Sequence, residues 1–120
     1  TSYNEVMLEL ISLYNLKAGE GNAETLEQAA QALKVLEENG VESRAYYRLL
    51  AEFYYTAFFA AQKDQSVLAI HWPEGDMKSV ADISRANERA WREYLTRDEN
   101  ADREFVINER IMAARTWELV

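Results

Sequence analysis

The sequence predicts an all-α fold, a single-domain five-helix bundle spanning residues 1–120, with one short extra helical turn near residues 66–71. Three observations lead there. One proline and four glycines in 120 residues leave too few chain breakers for many short strands joined by tight turns. Apolar residues recur at helical intervals in five segments, and a potential N-cap stands before each: Ser2, Asn22, Ser43, Ser79 and Thr96. Seven of the Tyr and Phe residues fall between Tyr46 and Phe59, which marks one helix as the centre of the packing.

Ser2 followed by Glu5 has the spacing of a capping box, and Tyr3, Val6, Met7, Leu10 and Tyr14 then recur at helical intervals to about Lys17. Gly19 and Gly21 interrupt that helix. Leu26, Ala29, Ala30, Leu33 and Leu36 define the second, in which small alanines permit close approach of a neighbour, and Asn39-Gly40 closes it.

The third helix extends from Ser43 to about Lys63. At about 100° per residue, Tyr46, Tyr47, Leu49, Leu50, Phe53, Tyr54, Ala57, Phe58 and Ala61 fill one broad arc, with Arg48 and Glu52 opposite. Tyr55 and Phe59, four residues apart, fall on the Arg48 side, where a helix with one solvent face should be polar.

Val67-Leu68-Ala69-Ile70 is too short for periodicity to choose between a helical turn and an extended arm. His71-Trp72-Pro73-Glu74-Gly75-Asp76 reads as a loop, because Pro73 restricts Trp72 to extended backbone and Gly75-Asp76 favours a turn. Trp72 is therefore the tryptophan expected to be most exposed. Ser79 and Asp82 form a capping pair for the fourth helix, whose apolar face is Val80, Ile83, Ala86, Ala90, Trp91 and Tyr94 with one polar member, Asn87. Thr96 and Glu99 repeat the capping spacing and separate a fifth helix, in which Phe105, Val106, Ile107, Ile111, Met112 and Trp117 leave no wide polar face. The helix-turn-helix pattern of residues 23–62 recurs in neither 1–22 nor 79–120, which excludes a solenoid.

Composition excludes several function classes. The absence of cysteine removes disulfides, thiolate catalysis and Cys-based zinc sites. No run approaches the roughly 18–20 apolar residues that span a bilayer, and the N-terminus lacks a signal-peptide pattern; no membrane association and a cytoplasmic location are expected. A net charge of −8 opposes nucleic-acid binding, which depends on Lys and Arg neutralising phosphates. The bases of residues 79–120 are nevertheless all arginine, and Arg85, Arg89 and Arg92 share one side of the fourth helix as a potential stripe for an anion or an acidic partner.

The catalytic inventory is nearly empty. His71 is the only histidine and shares its loop with Trp72, Glu74 and Asp76, the one grouping in which an imidazole and a carboxylate could perform acid–base chemistry or line a ligand pocket. Paired carboxylates such as Glu24/Glu27 and Glu37/Glu38 lack the Glu-x-x-His elements of bundle di-metal centres, and no metal or other cofactor is expected. Arg48, Tyr55 and Phe59 have the composition of an interface. The expectation is a non-catalytic protein–protein interaction module of adaptor, inhibitor, immunity or assembly-chaperone type, acting as a homodimer. The alternative is a small-ligand pocket protein or small enzyme using His71 with Glu74 or Asp76.

Overall fold

The aromatic segment 46–59 lies at the centre of the computed structural model, which describes residues 3–18 and 23–97. Among the described residues there are four α-helices and no strand: α1 (Tyr3–Ala18), α2 (Ala23–Glu38), α3 (Arg44–Lys63) and α4 (Val80–Thr96), with a short 3-10 helix (Gln65–Ala69) between α3 and α4. The all-helical class is therefore observed, and the turn expected near 66–71 is that 3-10 helix. The expected fifth helix lies outside the described residues.

Local chemistry fixes the helix ends. At the end of α2, Gly40 adopts φ +73°, which a side chain disfavours. Its N–H donates to Glu37 O and that of Val41 to Leu36 O, both at 3.0 Å, which satisfies carbonyls the helix would otherwise leave open. Ser43 Oγ accepts the Tyr46 N–H at 3.3 Å and Ser79 Oγ that of Asp82 at 3.4 Å, so both predicted caps form. Asp82 turns back and accepts from the Lys78 N–H at 2.9 Å. That hydrogen bond, reinforced by Arg85, holds the Asp82 carboxyl below its ordinary value.

Helix α3 is the hub. Tyr46, Leu49, Leu50, Phe53, Tyr54, Ala57, Phe58 and Ala61 are buried, the arc read from the sequence, with Tyr47 half-buried at its edge. Two buried asparagines grip it from different neighbours. Asn15 of α1 donates Nδ2 to Leu49 O at 3.1 Å, and Asn87 of α4 donates Nδ2 to Ala51 O at 2.8 Å. Both carbonyls belong to the α3 ladder, so each asparagine uses an acceptor's second lone pair. Helix α4 buries Ile83, Ala86, Asn87, Ala90, Trp91 and Tyr94 as its periodicity predicts.

The 3-10 helix and the loop after it close the far end of the core. Trp72 is buried rather than exposed, which corrects the expectation from its loop position: it stacks on Tyr54 at 6.3 Å, meets Phe53 edge-on at 5.7 Å, and donates Nε1–H to Leu68 O at 3.0 Å. The contacts with Phe53, Tyr54 and Leu68 hold the indole inward, a tertiary effect that the restriction Pro73 places on the local backbone does not decide.

Candidate functional site

The four residues of the His71 loop do not converge on one site. Trp72 is core. His71 is turned outward with 89% of its side chain exposed, and its Nδ1 lies 2.6 Å from Glu27 Oε1 on α2. The same carboxylate accepts the His71 backbone N–H through Oε2 at 2.9 Å, so one glutamate holds one residue by two bonds. The hydrogen bond and the charge of Glu27 raise the His71 pKa above 6.5. Burial pushes Glu27 up, but the bonds from His71 and Gln31 outweigh it and keep its carboxyl below the ordinary value.

Glu74 faces elsewhere. Its Oε1 accepts from the buried Tyr54 hydroxyl at 2.7 Å, and burial, with Glu74 beside it, pushes the phenol pKa well up. Glu74 and Asp76 instead share a shallow cleft of about 260 Å³ with Lys78, Asp82, Arg85 and Arg89. The structure thus brings two of the expected loop residues to two members of the arginine stripe, a juxtaposition across α4 that spacing could not reveal. The stripe itself is partly paired: Arg85 with Asp82 at 2.6 Å and Arg92 with Glu88 at 2.5 Å. Arg89 has no carboxylate within ion-pair distance among the described residues. Three acids and three bases line the cleft, and its lining includes no Ser, Thr, Cys or His.

The expected interface residues occupy a strip of α3. Arg48 donates to Glu52 at 3.1 Å, and Tyr55 and Phe59 are half-buried, their rings edge to face at 5.1 Å. Phe59 also packs against the core and lies edge-on to Phe58. At the strip's N-terminal end a groove of about 540 Å³ is lined by Leu8, Glu9 and Ser12 of α1, Arg48 and Glu52 of α3 and Tyr94 of α4, with the Arg44 guanidinium 3.9 Å from the Tyr94 ring centre. Arg48 therefore borders the groove shared with α1, and Tyr55 and Phe59 lie further along α3.

The larger apolar surface is on α1. The exposed large hydrophobic residues among those described are Tyr3, Val6, Leu13 and Leu16, at 61%, 49%, 58% and 73% exposure, and all four belong to this helix. The buried face of α1 consists of Ile11, Asn15 and Ala18, flanked by half-buried Met7, Leu8 and Tyr14. Tyr3 and Val6, read from the sequence as members of one apolar series with Met7 and Tyr14, belong to the outward side instead. Helix α1 is apolar on nearly every side, so periodicity alone could not say which side meets the core. The signal that could have exposed it is Asn15, whose amide seeks a backbone partner and thereby orients the helix.

Among the described residues no group of three His, Cys, Asp or Glu side chains is placed to hold a metal ion, and no helix is long and apolar enough to cross a membrane. Comparison with protein-family models, curated proteins and solved structures finds no match.

Proposed function

We propose that this chain is a non-catalytic protein–protein interaction module, of adaptor, inhibitor, immunity or assembly-chaperone type, working in the cytoplasm as a homodimer. One observation carries the reading: among the described residues the exposed large hydrophobics lie on the outward side of α1, on a helix whose opposite side is locked into the core by Ile11 and Asn15. Contiguous exposed apolar surface on a rigid element is the mark of a contact site. The half-buried Tyr55–Phe59 pair on α3 adds aromatic surface of the kind interfaces use. The competing pocket reading loses support because His71 and Glu74 are engaged by different partners, Glu27 and Tyr54.

A photoreactive amino acid in place of Leu13, activated in the native cell, tests the proposal. Discrete protein adducts are expected from Leu13 and none from the same group in place of Gln28, an exposed polar position on α2. Absence of adducts at Leu13 would refute it.

A further inference from the structure

The outward side of α1 has the pattern of a helix-pairing seam. Tyr3, Val6, Leu10 and Leu13 are separated by three, four and three residues, and Lys17 continues the series four residues on. This 3-4 alternation keeps successive side chains on one narrow stripe facing a parallel or antiparallel helix, the requirement for knobs-into-holes packing. It is a narrower stripe than a globular core needs: Tyr3, Val6 and Leu13 are exposed and Leu10 is half-buried, while Ile11, Asn15 and Ala18 serve the core.

The charges within and beside the stripe choose the partner and its direction. Glu5 and Glu9 stand in the N-terminal half of α1 and Lys17 in its last turn. Glu9 and Lys17 are both exposed, and neither has an ion-pair partner among the described residues. A second copy running parallel would set Glu9 against Glu9. Running antiparallel, it sets Lys17 of each copy beside Val6 and Glu9 of the other and brings Leu10 opposite Leu13. That arrangement is isologous, each contact occurring twice about a two-fold axis, as closed dimers require. The net charge of −8 on each copy does not forbid it, because repulsion between exposed charges is screened beyond about 8 Å at physiological salt.

We infer that α1 pairs antiparallel with α1 of a second copy, Leu10 meeting Leu13 and Glu9 meeting Lys17 across the two-fold axis. The inference rests on the interaction reading above and names its partner.

Sedimentation equilibrium of charge-reversed chains tests it. The unmodified chain is expected to dimerise and Leu13→Asp to remain monomeric with an unchanged helical spectrum, since Leu13 contributes little to the core. Glu9→Lys alone and Lys17→Glu alone should each weaken the dimer about tenfold, because either change turns two attractive pairs into two repulsive ones, while the double reversal restores affinity to within about threefold. Three results would overturn the inference: a monomeric unmodified chain, a dimer insensitive to Leu13→Asp, or a double reversal weaker than either single change. Should the chain prove monomeric, protein adducts from a photoreactive group at Leu13 would show the surface reading standing without self-pairing, and their absence would show that both fail.

Discussion

Asn87 of α4 donates its side-chain N–H to the carbonyl of Ala51 on α3 at 2.8 Å, inside a core where Asn87 itself is fully buried. The bond fixes the register of the two helices at one point along an otherwise apolar contact. Replacing Asn87 by Asp removes the donor and sets a carboxylate against a carbonyl, so the variant should be destabilised by about 3 kcal/mol or more. Asn87→Leu should cost less, about 1–2 kcal/mol, because the Ala51 carbonyl retains its helical hydrogen bond. Urea unfolding of the two variants at neutral pH decides the matter; equal stability of the Asp variant would contradict the burial.

Among the described residues Gly40 ends a helix in a conformation that a side chain disfavours on local grounds. No atom lies within 4 Å of where its Cβ would stand, so the cost of Gly40→Ala is conformational rather than steric. At φ +73° that cost should be about 1 kcal/mol, with Gly40→Asn less affected. Thermal denaturation of both variants measures it.

The Tyr54 hydroxyl reaches Glu74 across 20 residues and ties the loop to the hub helix. Tyr54→Phe retains the ring stacked on Trp72 and should lose about 1 kcal/mol, whereas Tyr54→Ala should lose about 3–5 kcal/mol through the cavity it leaves. Similar losses in the two variants would show that the hydroxyl, not the ring, dominates.

The Glu27–His71 clamp makes a pH prediction whose sign follows from the two shifts. His71 has its pKa raised in the folded chain, so its contribution is complete below the ordinary value of 6.5 and is lost as pH rises through the higher folded value. Glu27 has its pKa lowered, so its contribution is present above the ordinary 4.5 and is lost as pH falls through the lower folded value. Between those limits both partners are charged and the loop is held most firmly. A carbon-detected titration of the single imidazole should give a midpoint above 6.5, returning toward it in Glu27→Gln. An unshifted midpoint in the unmodified protein would contradict the clamp.

How much of this was legible beforehand depended on how one-sided each helix is. Helices α3 and α4 carry apolar arcs bounded by Arg48, Glu52, Arg85, Arg89 and Arg92, and most of their buried residues follow from spacing, while buried Ala51, Ala60 and Ser84 and half-buried Val80 depart from it. Helix α1 offers Val6, Met7, Leu8, Leu10, Ile11, Leu13 and Leu16 around its circumference, so its orientation waits on a tertiary contact, the Asn15 bond to Leu49. Trp72 illustrates the other limit: Pro73 sets the local backbone, but whether the indole turns in or out depends on Phe53 and Tyr54, nearly 20 residues earlier. Glu27 could not be matched to His71 for the same reason, since their 44-residue separation is closed only by the fold.

The most direct measurement uses the absence of native cysteine. Chains carrying Leu10→Cys and chains carrying Leu13→Cys are mixed and oxidised gently, and the disulfide-linked products are separated by mass. Antiparallel pairing of α1 predicts rapid formation of the mixed dimer in preference to either like-with-like product, because Leu10 of one copy faces Leu13 of the other. No more mixed product than random pairing of the two chains gives, or no disulfide at either position under conditions where exposed Gln28→Cys chains do cross-link, would contradict the pairing of the outward face of α1 with itself.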